Sequence, residues 1–249
     1  MTAFWSNVFL GVIQGVTEWL PISSSGHLAL GEYLIGFRQD LAYDVFLHIG
    51  SLAVMLAYFR RDIFKLCISL THRERRSDHR LMGFIILATL ITIPIALLLD
   101  PVEPALRLPA WLAAGFALNA IALAFTRNTT GERGTFGWGS AAFLGLLQGI
   151  AVVPSVSRSG LTIGAALLMG IRPEDAFRFS FLMAIPSIAG AIIYKVKDLA
   201  WNPEYLVGLF ATVIAGYASL WLLEKIVMRD RLHWFWIYNA FLAIVLLYA

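Results

Sequence analysis

The chain has 249 residues, of which 59% are hydrophobic and 14% charged, and its mean hydropathy is +0.75. Most segments are apolar on every face rather than along one stripe, which excludes an ordinary soluble domain and makes residues 1–249 a single integral membrane domain. The formal net charge is only +3, and its basic residues crowd one membrane loop, so no nucleic-acid partner is expected.

In chain order, the segment from Met1 to Gly15 lacks the basic stretch and small-residue cleavage site of a secretory signal and is expected to remain in the mature protein. Apolar runs at about 4–20 and 25–36 are short and broken by Pro, Ser and Gly, and they predict a re-entrant helical hairpin. Membranes accept such irregular backbone only where protein buries it or where it lines a cavity. Longer runs at about 43–59, 82–99 and 110–126 predict three crossings, each near the roughly 20 residues that span a bilayer. The pattern then recurs, with a second re-entrant hairpin at about 138–153 and 160–171 and crossings at about 177–194, 205–223 and 234–249. The only cysteine, Cys67, cannot form an internal disulfide and reads as filler.

The loop at 60–80 carries Arg60, Arg61, Lys65, Arg73, Arg75, Arg76 and Arg80, which places it in the cytoplasm. Arg127, Arg133, Arg172, Arg178, Lys225, Arg229 and Arg231 then fall on the same side, giving it fourteen of the nineteen basic residues. The opposite side has Arg38, Arg107, Lys195 and Lys197, and both termini come out there. Three crossings separate the two hairpins. Because three is odd, the halves at about 1–126 and 138–249 should be inverted-topology repeats, an architecture that builds one site near the midplane from broken helices.

A polar cassette occurs once in each half. Gln14-Gly15, Glu18, Pro21 and Ser23-Ser24-Ser25-Gly26-His27 form the first copy, and Gln148-Gly149, Pro154 and Ser157-Arg158-Ser159-Gly160 form the second. Ionisable groups are costly inside a membrane and by default mark a functional site. Gln14 and Glu18 are four apart and share a helix face, and the helix should break at Pro21. Ser23, Ser24 and Ser25 then make a hydroxyl-rich turn, and His27 is spaced to activate Ser24 or relay a proton. A plainer reading pairs Glu18 with His27 as a stitch between helices. Arg158, at an expected helix start with Thr162 one turn on, suits bidentate recognition of phosphate or carboxylate, or neutralises Glu18 across the repeat interface.

Other titratable groups carry less. His48 reads as a packed helix-interface residue, Asp44 as solvated at the outer end of its span, and His72, His79 and His233 as loop residues. The run Trp234, Phe235, Trp236, Tyr238 reads as an interfacial aromatic belt. The sequence has no Walker loop, CxxC pair or HExxH, so ATP-driven transport within the chain and zinc proteolysis have no support.

The run G-V-I-Q-G-V-T-E-W-L-P-I-S-S-S-G-H, then P-S-V-S-R-S-G-L-T, then R-F-S-F-L-M-A-I-P at 178–186, resembles the undecaprenyl-diphosphate phosphatase family of the bacitracin-resistance type over nearly the whole chain. The resemblance implies removal of one phosphate from undecaprenyl diphosphate, recycling the lipid carrier of cell-wall synthesis. It further implies a divalent cation, Mg2+ or Ca2+, and a multi-pass protein of the bacterial plasma membrane whose site opens to the outer side. The family's functional residues fall on Glu18, Ser24, His27, Ser157, Arg158 and Thr162; beyond that resemblance, Gln14, Ser23, Ser25 and Ser159 are expected as further substrate contacts and Glu18 as a metal ligand. Two positions depart from the family: Gln14 stands where glutamate is frequent, and Ser155 follows Pro154 where glycine is usual.

The expected partners are a prenyl diphosphate and membrane lipid, with a homodimer left open. Ser24 is the expected nucleophile with His27 as base or acid, alongside direct attack by water. A secondary transporter or flippase of an anionic lipid, using the same arginine, is the rival reading.

Overall fold

The structure is a computed structural model, and it describes residues 3–36, 41–72, 74–128, 136–195 and 202–248. Among these, all regular structure is helical. The first half runs α1 (Ala3–Thr17), α2 (Ser24–Ile35), α3 (Leu41–Tyr58), α4 (Arg60–Ser69), α5 (Arg76–Leu99), the single turn α6 (Glu103–Leu106) and α7 (Pro109–Ala124). The second runs α8 (Trp138–Ile150), α9 (Arg158–Leu168), α10 (Pro173–Lys195), α11 (Tyr205–Met228) and α12 (Phe235–Leu247). Arg38, Arg73, Arg133 and Lys197 of the charge count lie outside the described residues.

Local chemistry sets the boundaries. Pro109 sits at the first turn of α7, where its missing N–H is unneeded. Gly36 closes α2 in the left-handed region at φ 63, which glycine enters without a Cβ penalty. Both predicted hairpins appear as paired short helices, α1 with α2 and α8 with α9, separated by the polar cassettes.

Four helical segments are long and apolar enough to cross a membrane: Arg76–Leu106, Pro109–Arg127, Pro173–Lys195 and Tyr205–Met228. The other two expected crossings are shorter. The 13 residues of α12 reach only about 20 Å at 1.5 Å each, against a hydrocarbon core of about 30 Å. The 60–80 loop is also corrected, because α4 and the first turn of α5 occupy most of it. Ile63 and Leu66 of α4 pack on the core, and Asp62 pairs with Arg178 of α10 at 2.7 Å, which gives this charged segment a tertiary reason to be helical.

Lipid is as apolar as leucine, so helices in a bilayer associate through close packing and hydrogen bonds rather than through exclusion of water. The packing shows this. A Cβ on Gly11 of α1 would lie 2.3 Å from the Gly208 carbonyl oxygen of α11, and one on Gly145 of α8 would lie 2.6 Å from the Ala88 backbone of α5. Glycine lets each backbone pair close up. Thr212 Oγ1 donates to Gly11 O, and Thr92 Oγ1 donates to Gly145 O, both at 2.9 Å. Each hairpin thus docks on a long helix of the opposite half, and α7 packs against α12. Trp19, Phe181 and Leu223 fill the buried centre between them.

Candidate functional site

The Glu18 N–H donates to Gln14 O at 3.0 Å, so α1's helical turn continues far enough to carry both side chains on one face. Gln14 Nε2 donates to Glu18 Oε2 at 3.2 Å and to Ser51 Oγ at 3.3 Å. The chain then breaks at Pro21. Ser23 takes φ 66, an uncommon value for a residue with a side chain, and its Oγ accepts the Gly26 N–H at 3.4 Å as the cap of α2. This places Ser24 at the helix start, where its Oγ donates to Glu18 Oε2 at 2.7 Å.

The second break repeats the cap. Ser157 Oγ accepts the Gly160 N–H at 3.2 Å, and Arg158 is the first residue of α9. Its Nη2 donates to Glu18 Oε1 at 2.9 Å, and the two side chains are only 13% and 8% exposed. Removing one partner of such a buried pair costs about 3–5 kcal/mol, because the other charge is left uncompensated. The guanidinium lies over the Phe181 ring at 5.7 Å, which gives the R-F-S-F-L-M-A-I-P segment a physical role. Arg158 Nη1 is buried and has no hydrogen-bond partner among the described residues.

A cavity of about 300 Å³ opens beside these groups. Glu18, Ser23, Ser24, Ser25, Ser157 and Arg158 line its polar part, and Leu28, Val45, Ala96, Ile188, Ala191 and Ile192 give it apolar walls. Charged residues at helix ends complete it: Glu32, Asp44, Asp100, Arg107 and Lys195, with Glu103 of α6.

The remaining candidates stand elsewhere. Gln14 is fully buried behind Glu18. Ser159 bonds Ser157 Oγ at 3.2 Å and Leu20 O at 3.4 Å, and Thr162 Oγ1 bonds Arg158 O at 2.8 Å and Ser180 Oγ at 2.5 Å. Both hold the second break rather than line the cavity. The expected contact of His27 with Ser24 or Glu18 is not formed. Its Nδ1 meets Ser23 O at 2.7 Å and its Nε2 meets Tyr238 Oη at 2.6 Å, while its ring stacks on Tyr238 and meets the edge of Phe116. Tyr238, read from sequence as belt only, competes for the imidazole.

Four side chains have roles that their sequence context understates. His48 and Asp44 line the cavity, His48 Nδ1 meeting Asp44 O at 2.7 Å. Asn119 and Asn239 are buried amides that bond the backbone of the two breaks. A lone amide in mid-span of an otherwise apolar run was the available signal.

Among the described residues, no three His, Cys, Asp or Glu side chains converge as a metal cage. The donors do fit an ion shared with a ligand. Gln14 Oε1 is a buried acceptor without a partner among the described residues, on the amide whose Nε2 meets the Glu18 carboxylate, and Mg2+ is commonly held by one or two carboxylates plus substrate phosphates.

The family model described as bacitracin resistance protein BacA matches residues 7–245. Proteins named undecaprenyl-diphosphatase are similar over nearly their whole length. That of Geobacter metallireducens is 40% identical over 90% of this chain and 90% of its own, and that of Rubrobacter xylanophilus 37% over 95% and 94%. The Korarchaeum cryptofilum protein is 35% identical over 96% of this chain and 97% of its own. The chain belongs to the BacA family.

Proposed function

We propose that this BacA-family protein is an undecaprenyl-diphosphatase, hydrolysing undecaprenyl diphosphate to the monophosphate and orthophosphate. The relatives' name supplies the reaction, and one observation ties it to the site: Arg158, which lines the cavity, is tethered to Glu18 by Nη2, while its Nη1 is buried and has no hydrogen-bond partner among the described residues. A buried donor of this kind calls for an anion, and guanidinium matches phosphate oxygens two at a time. The prenyl tail would stay along the apolar wall and in lipid, since each methylene moved into water costs about 0.8 kcal/mol.

Phosphoryl transfer needs mainly positioning and charge compensation. Ser24 Oγ attacks the terminal phosphorus, its proton passes to Glu18 Oε2, and the bond to the bridging oxygen breaks to release the lipid monophosphate. Glu18 gives that proton to the departing lipid monophosphate, then takes one from the water that attacks the phosphoserine and returns it to Ser24 Oγ as orthophosphate leaves. Glu18 replaces His27 as proton acceptor here because Ser24 bonds the carboxylate and not the imidazole. Glu18 and Gln14 would hold a divalent cation, Mg2+ or Ca2+, which supplies further charge neutralisation when bound.

The two halves are read as inverted repeats. Contacts displaced by 134 residues in the hairpins recur across the molecule: Gln14 bonds Ser51 and Gln148 bonds Ser187, Gly11 meets Thr212 and Gly145 meets Thr92, Pro21 meets Asn239 and Ser155 meets Asn119. The helix ends that carry Asp100, Arg107 and Lys195 lie opposite the basic 60–80 segment, so the cavity is assigned to the outer face of the bacterial plasma membrane.

Phosphate release from undecaprenyl diphosphate by the purified protein in detergent, with and without chelator, tests the reading. Turnover that chelator suppresses is expected. Detergent has no two sides, so turnover there is not transport, whereas substrate binding without phosphate release would return the site to a lipid transporter.

A further inference from the structure

We infer that Asn119 and Asn239 form a hydrogen-bonded clamp that fixes one break against the other and so seats Glu18 and Ser24 against Arg158. The two amides sit in α7 and α12, are 1% and 0% exposed, and meet through Asn119 Nδ2 and Asn239 Oδ1 at 3.4 Å. Asn239 Nδ2 also donates within α12, to Phe235 O at 2.9 Å, and the remaining bonds leave the helices. Asn239 Nδ2 donates to Pro21 O at 2.9 Å, and Asn119 Nδ2 donates to Ser155 O at 2.7 Å. Asn119 Oδ1 accepts the Ser157 N–H at 2.9 Å.

The path is short at both ends. Pro21 is three residues from both Glu18 and Ser24, and Ser157 directly precedes Arg158. Carbonyls and N–H groups freed by a broken helix must be satisfied inside the membrane, and here the same two side chains satisfy one carbonyl in each break and the Ser157 N–H. Packing leaves little slack between them: a Cβ on Gly160 would lie 3.0 Å from Pro21 Cβ. Neither asparagine lines the cavity, so each is a positioning residue rather than a catalytic one.

The activity arm of the test rests on the phosphatase reading, and the distance arm does not. Asn119→Ala and Asn239→Ala should each lower kcat about 10- to 100-fold, the scale of an ångström misplacement, with KM shifted less than about threefold. The double variant should be no worse than the poorer single one, because one clamp is lost in either case. Spin labels on Tyr33→Cys of α2 and Leu168→Cys of α9, both exposed positions, in a Cys67→Ser background should give one narrow distance that broadens in each asparagine variant. Asn239→Leu, which fills the volume but cannot bond Pro21, supplies the same readout if an alanine variant fails to fold. Unchanged distance distributions in folded variants, or kcat losses that multiply, would overturn the clamp. Absence of phosphate release from the unsubstituted protein would instead overturn the phosphatase reading and leave the distance result to decide the clamp.

Discussion

At the first break Ser23 caps α2 through the Gly26 N–H, and at the second Ser157 caps α9 through the Gly160 N–H, yet the residues seated on these matching caps are opposite in chemistry. The hydroxyl of Ser24 occupies the place that Arg158 takes 134 residues later, and Glu18 corresponds in the same way to Val152. The comparison teaches that the repeated part is backbone machinery and the divergent part is the reagent set. Two identical hairpins would set carboxylate against carboxylate or guanidinium against guanidinium. Divergence at two positions makes one mixed site, with a proton acceptor and a hydroxyl on one wall and an anion-binding group on the other.

The largest effect should come from the divergent residues. Arg158→Ala should reduce phosphate release at least about 10³-fold, near the upper range for loss of one charge-stabilising donor, and Arg158→Lys should recover little because a point charge cannot form the two-pronged contact. Near-normal turnover of the lysine variant would show that charge alone suffices there.

Next comes the hydroxyl. Ser24→Ala should lose nearly all turnover, and labelled substrate should leave a phosphorylated protein in the unsubstituted enzyme only. His27→Ala, whose ring meets Tyr238 rather than Ser24, should lose about tenfold or less, below the roughly 10²- to 10⁴-fold that an acid–base catalyst contributes. Equal losses for the two variants in steady-state assays would restore His27 to the chemistry.

Metal response should shift more gently. Read as direct binding of Mg2+ or Ca2+, because Glu18→Gln also removes the proton acceptor of Ser24, affinity should fall in Glu18→Gln and rise in Gln14→Glu, which places a second hard oxygen beside Glu18. Overlaid titration curves for all three proteins would remove both residues from the metal site.

The smallest effects test the shared machinery itself. Ser23→Ala and Ser157→Ala should each cost about 1 kcal/mol as lost helix caps, and about 2–4 °C in detergent melting temperature. Clearly unequal losses would show that the two caps are not equivalent.

Much of this was legible in the sequence. The duplicated cassette located both breaks, because Pro, Ser and Gly inside apolar runs have few other physical readings, and the Glu18–Arg158 pair followed from the need to compensate buried charge. What remained hidden depended on partners distant in sequence. His27 is three residues from Ser24, and nothing local reveals that α12 brings Tyr238 to its Nε2. Asp44 and His48 read as solvated and packed because only the fold opens a cavity along α3. Asn119 and Asn239 stood as single amides in long apolar stretches, and their target carbonyls lie 36 and 218 residues away.

The central claim is that the two breaks build one diphosphate site around the free edge of Arg158, and binding tests it without chemistry. Titration of the purified protein and its Arg158→Ala and Ser24→Ala variants with a non-hydrolysable prenyl methylenediphosphonate should give near-equal affinity for the unsubstituted and Ser24→Ala proteins. Arg158→Ala should bind at least about 30-fold more weakly, the equivalent of roughly 2 kcal/mol for a lost charge-assisted contact. Equal affinity in all three proteins would contradict the account.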